Sequence, residues 1–148
     1  VGTYDPSALS GVPRGKDGGA ALLLADPQKL ALLLPGMALT TLVEKQAFET
    51  KIKDGRLFDS VVGDLNGDGV RDVALLEGVK ANVEIVTTAP TGELLKALHF
   101  QVFQGKRFSD APESRGDPRE AVIGDVTGDG RDDLALIAHD RLIVYPSQ

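Results

Sequence analysis

The segment GDLNGDG at residues 63–69 returns as GDVTGDG at residues 124–130. The first aspartates of the two copies stand 61 positions apart (125 − 64 = 61). Residues 60–77, SVVGDLNGDGVRDVALLE, lie over residues 121–138, AVIGDVTGDGRDDLALIA, without a gap. Each copy orders the same parts: an apolar run, an Asp-rich loop, an apolar run, and then another. A supersecondary unit repeated at this period cannot bury both of its faces alone, so the copies must pack on one another.

The apolar runs are short and rich in Val, Ile and Leu. AALLLAD (20–26), KLALLLPG (29–36), SVVGD (60–64), DVALLEG (72–78), ANVEIVTTAP (81–90), LLKALHFQVFQG (94–105), EAVIGD (120–125), DLALIAHD (133–140) and RLIVYPS (141–147) read as strands separated by turn residues. Period-two alternation supports this: Leu98, Phe100 and Val102 fall on one face, as do Val83, Ile85 and Thr87. Residues 26–53 are the ambiguous stretch. ALTTLVEKQAFETKIK (38–53) holds good helix formers, and Asp26-Pro27 resembles a helix start. The repeat favours strands in both places.

Together these features predict an all-β chain of about two and a half four-stranded antiparallel units, arranged as a partial or open propeller. Residues 1–19, rich in Gly and Pro and without a period, read as an N-terminal arm or linker. Residues 20–59 read as a worn, partial unit that lacks an opening strand, with the Asp17-Gly18 before it as the remnant of a loop. Residues 60–105 form a unit with a complete Asp loop, 106–119 an exposed loop, and 120–148 a partial unit with the second Asp loop.

Counting from the first Asp, oxygen-bearing side chains occupy positions 1, 3, 5 and 9: Asp64, Asn66, Asp68 and Asp72 in the first loop, Asp125, Thr127, Asp129 and Asp133 in the second. Gly69 and Gly130 stand at position 6, where the chain must turn sharply. The carbonyls of Val70 and Arg131 follow at position 7. Alternate residues of a tight loop turn towards a common point. A hard cation such as Ca²⁺ takes six to eight oxygens there, at about 2.3–2.6 Å. With no Cys and two His, the chain offers little to zinc or copper, and Mg²⁺ prefers fewer protein ligands. The carboxylates would repel one another without a cation. Thr127 at position 3 makes the second site the weaker one. A plain hairpin turn would also use Asp, Asn and Gly, but two copies in one register, each with Asp at position 9, favour the cation.

VVGDLNGDGVRDVALL and AVIGDVTGDGRDDLALI resemble the FG-GAP/VCBS repeats, the calcium-binding blades of integrin-α-type β-propellers. The likeness covers residues 60–148 well and 17–59 faintly. It implies that each loop joins the first two strands of a blade and that the ion stiffens that corner. It implies one site of Asp64, Asn66, Asp68, the Val70 carbonyl and Asp72, and a second of Asp125, Thr127, Asp129, the Arg131 carbonyl and Asp133. EF-hand and dockerin loops need an acid at position 12 and a helix after it, whereas Leu75 and Leu136 stand there inside apolar runs. A closed propeller needs at least four blades, so the resemblance implies a fragment of a larger propeller, copies that close a ring, or sheet edges covered by a protein partner.

A net charge of −6 offers nothing to a phosphate backbone, which argues against nucleic acid. No apolar run reaches 18 residues, which argues against a spanning helix. The start at Val1, with no signal-peptide pattern, reads as a processed piece of something longer. No nucleophile elbow or phosphate loop is present, and His99 and His139 read as surface residues, so no enzyme is expected. Arg115-Gly116-Asp117 is short enough to arise by chance. The expected role is a calcium-bound structural and protein-interaction module of a secreted, extracellular or periplasmic protein. The alternative is a lectin-like accessory domain of a carbohydrate-active enzyme, against which the absence of Trp and the two Tyr argue.

Overall fold

The computed structural model describes residues 8–13, 20–35, 42–89, 93–102 and 117–148. Among them the regular structure is all β. Eleven strands form three antiparallel sheets, none closed on itself. The first sheet holds β1 (Ala8–Pro13), β2 (Ala20–Ala25), β3 (Lys29–Pro35) and β4 (Leu42–Glu49) in chain order. The second holds β5 (Leu57–Gly63), β6 (Asp72–Glu77), β7 (Asn82–Thr88) and β8 (Leu94–Gln101), again in chain order. The third holds β9 (Glu120–Gly124), β10 (Asp133–Ala138) and β11 (Arg141–Tyr145). There is no helix among the described residues, so none long and apolar enough to cross a membrane.

Two expectations change. Residues 8–13, assigned to an arm or linker, are instead the opening strand of the first sheet, with Gly11 paired to Leu22. Residues 20–59 are therefore not a unit without an opening strand, and the second sheet starts at Leu57 rather than at residue 60. The ambiguous residues 26–53 contribute β3 and β4, the strands that the repeat favoured. Asp26 does act as a cap, but of a turn: its Oδ1 accepts the N–H groups of Gln28 (2.8 Å) and Lys29 (2.7 Å), and β3 follows at once. Asp17, Gly18 and residues 106–116 of the expected exposed loop lie outside the described residues.

The sheets stack face to face through two apolar layers. Leu23, Ala25 and Leu30 of the first sheet meet Leu57, Val73, Leu75 and Val86 of the second. Ala74, Leu76, Val83 and Ile85, on the opposite face of the second sheet, meet Leu134 and Leu136 of the third. Phe100 and Tyr145 add a tilted ring pair across that second layer, with centroids 4.9 Å apart. Every residue of β6 is buried, because alternate side chains enter alternate layers. The first strands of the sheets are direct neighbours, β1 beside β5 and β5 beside β9.

Gly63 shows how tightly β5 and β9 approach. A Cβ there would stand 2.0 Å from Ile123 Cγ2. Polar groups between the layers are tied down. Ser10 Oγ lies 3.0 Å from Ser60 Oγ, and Thr50 Oγ1 donates to the buried Glu84 at 2.6 Å while Lys96 Nζ lies 3.4 Å from the other oxygen.

Candidate metal centre

The loop between β5 and β6 and the loop between β9 and β10 occupy equivalent corners of adjacent sheets. Their entrance and exit are fixed by the ladder: Gly63 pairs with Asp72, and Gly124 with Asp133. Positions 1 and 9 are thereby brought close together in each loop. The turn uses left-handed glycines twice, at Gly67 and Gly69 (φ 72° and 82°) and at Gly128 and Gly130 (φ 78° and 86°). The position-6 glycines thus hold the backbone expected of them.

In the first loop, the side chains fold over the loop's own amides. Asp64 accepts from the N–H groups of Asp68 (3.1 Å) and Gly69 (2.8 Å). Asn66 Oδ1 accepts from Asp68 N–H at 2.9 Å, and Asp68 Oδ1 accepts from Val70 N–H at 2.7 Å. Asn66 Nδ2 donates to Asp68 Oδ2 at 3.0 Å. Asp72 is different. Its side chain is 1% exposed; Oδ2 accepts from Leu65 N–H at 3.1 Å, and Oδ1 is buried with no hydrogen-bond partner. Burial, with the charges of Asp68 and Asp64 adding to it, pushes the Asp72 carboxyl up to about 6.

The second loop repeats the scheme with one change. Asp125 accepts from the N–H groups of Gly128 (2.6 Å), Asp129 (3.0 Å) and Gly130 (2.9 Å), and Asp129 Oδ1 from Arg131 N–H at 3.0 Å. Asp133, the counterpart of Asp72, has both oxygens engaged. Oδ2 accepts from Thr127 N–H (2.8 Å) and Val126 N–H (3.0 Å), and Oδ1 from Ser147 N–H (3.0 Å). Those bonds, led by the one from Thr127, hold its carboxyl below the usual range. The two corners therefore differ electrostatically. One keeps a buried carboxylate oxygen without a partner, and the other spends the same oxygen on the C-terminal strand's exit.

Asp64, Asn66 and Asp68, and Asp125, Thr127 and Asp129, lie in the two loops, while Asp72 and Asp133 open β6 and β10. As they stand, no three acidic or imidazole groups among the described residues close around one point tightly enough to hold a metal. Val70 and Arg131 lie in the turn, with their N–H groups donating to Asp68 and Asp129. Sequence reasoning missed Asp132 and Ser147. Asp132 Oδ2 reaches across from the second loop to accept Asp64 N–H at 3.0 Å and to pair with Arg71 Nη1 at 3.2 Å. A hollow of about 580 Å³ opens between the corners, lined by Asp64, Asn66, Arg71, Arg131 and Asp132 among others. Asp132 does stand next to a position-9 aspartate, but nothing in its spacing marks it as a tie between loops. Compared with protein-family models and with curated protein sequences, the chain matches none.

Proposed function

We propose that this chain is a non-catalytic, calcium-binding module of propeller-type β-sheets, a structural and protein-interaction unit of a larger secreted protein or assembly outside the cytoplasm. The sheets are read as blades. Face-to-face stacking with the first strands adjacent supports that reading, as does the resemblance of the two loops to FG-GAP/VCBS repeats. The observation that carries the calcium reading is Asp72. A carboxylate oxygen buried without a donor, under the repulsion of the Asp68 and Asp64 charges and at the edge of a turn built on left-handed glycines, is costly unless a cation completes it. Asp64, Asn66, Asp68, the Val70 carbonyl and Asp72 would hold the first ion. Asp125, Thr127, Asp129, the Arg131 carbonyl and Asp133 would hold the second, more weakly, since Asp133 is already satisfied.

The role of the ion is linkage. Calcium binds the ordered corner and not the unfolded loop, so it stabilises the fold by RT ln(1 + [L]/Kd). At affinities typical of extracellular modules and millimolar ion, this amounts to about 1 kcal/mol per site. Isothermal titration of EGTA-stripped protein with calcium tests it directly. The expected result is two classes of site, with the tighter one lost in the Asp68→Ala variant. Absence of heat, together with no metal by elemental analysis after dialysis against calcium, would remove the reading.

A further inference from the structure

The third sheet has one covered face and one open face. Ala121, Ile123, Leu134, Leu136, Ile143 and Tyr145 pack on the second sheet. The opposite face carries Val122 (57% exposed), Ile137 (37%) and Leu142 (70%) around the small, buried Ala135, with Gly124 at the start of the loop. By the ladder pairings, Val122, Ile137, Leu142 and Gly124 correspond to Val61, Leu76, Val83 and Gly63 of the second sheet. On the second sheet that same face is the one covered by the third. The contrast is sharpest at the glycines: a Cβ on Gly63 would strike Ile123, whereas one on Gly124 would meet nothing within 4 Å. The open face is thus an interior face of the stack without its next sheet.

The chain itself carries a matching surface. Leu23, Ala25 and Leu30 of the first sheet pack inward, so Leu9, Gly11, Leu22 and Leu24 lie on its outer side. Ala31 and Leu33 of that side are already buried, and its open part is the β1 edge, where Leu9 is 64% exposed and Gly11 has nothing within 4 Å. Gly11 pairs with Leu22 as Ile123 pairs with Leu134, and Leu9 pairs with Leu24 as Ala121 pairs with Leu136. On β9 the bulk is at the position of Ile123; on β1 it is shifted two residues, to Leu9. We propose that the outer face of the third sheet binds the outer face of the first sheet of a second copy, β9 against β1, continuing the stack head to tail. Such a contact joins two different surfaces, so it closes a ring if the rotation per sheet allows and otherwise extends. The inference rests on the reading of the sheets as stacking repeats and not on calcium.

The absence of cysteine makes disulfide trapping clean. The Gly11→Cys and Gly124→Cys chains are mixed under mild oxidation, with sedimentation of the unsubstituted chain alongside. Neither glycine has a neighbour that a side chain would strike. The expected result is concentration-dependent association of the unsubstituted chain, weakened by Leu142→Asp, and a covalent dimer in the mixture but in neither chain alone. A monomer at all concentrations with no trapped dimer would overturn the proposal. So would trapping of the Gly124→Cys chain with itself, which would mean that two third sheets face each other. Association that persists in EGTA, with no calcium heat, would leave this inference standing while the calcium reading falls.

Discussion

At the scale of single residues, Asp72 sets the behaviour of the first corner. Its carboxyl titrates near 6 in the folded chain and near its ordinary value of 3.8 when unfolded. In the metal-free protein this group therefore contributes stability that is fully present below about pH 3.8 and lost as pH rises through about 6. Calcium must displace that proton, so the affinity of the first site should fall as pH drops below about 6, which titrations at pH 7 and pH 5 would show. Asp72→Asn should raise the melting temperature of the EGTA-treated protein at pH 7 while abolishing most of its response to calcium. A variant that merely damaged the fold would lower the first without reference to the ion. Asp68→Ala should reduce the calcium-dependent part of the melting temperature more than Thr127→Ala, measured by scanning calorimetry with and without EGTA. The loop positions of these residues were legible because oxygen-bearing side chains and glycines at fixed offsets follow from local chain geometry. Asp132 and Ser147 were not, since their partners Asp64 and Asp133 lie 68 and 14 residues away: Asp132 meets Asp64 only once the sheets are stacked, and Ser147 meets Asp133 only once β11 has paired with β10.

At the scale of elements, the close approach of β5 to β9 makes a sharp comparison. Gly63→Ala places a Cβ inside the van der Waals envelope of Ile123 and should destabilise by about 1–3 kcal/mol in chemical denaturation, as overpacking does. Ile123→Ala should relieve part of that cost in the double variant, a non-additivity expected of touching residues. Gly124→Ala, with open space around it, should be close to neutral at concentrations where the chain is monomeric. The strands rich in Val, Ile and Leu were legible from their pattern. β1 was not: ALSGVP mixes Gly, Ser and Pro, and it becomes a strand because Leu22 and its neighbours in β2 need an antiparallel partner. Asp26 left the stretch ambiguous for the opposite reason, since a carboxylate that accepts the next N–H groups looks the same before a helix and in a hairpin turn. Glu84 also departs from simple alternation. It is fully buried between the first two sheets because Thr50 and Lys96 answer its charge there.

At the scale of the whole molecule, the 61-residue period made a stack of sheets legible but not its faces. Period two tells which side chains share a side; it does not tell which side meets which neighbour. The ladder and the two apolar layers supply that. If each corner gains about 1 kcal/mol from calcium, and a domain of this size shifts by roughly 2–4 °C per kcal/mol, EGTA should lower the melting temperature by several degrees. An unchanged melt would remove the linkage.

The middle position of β6 carries a dynamic consequence. Its amides are bonded to β5 on one side and β7 on the other, and both of its faces lie under apolar layers. Local fraying that frees an outer strand leaves them shielded, so their deuterium uptake should wait for global opening and report the full free energy of the fold. The amides of β11, bonded on one edge only, should exchange far sooner.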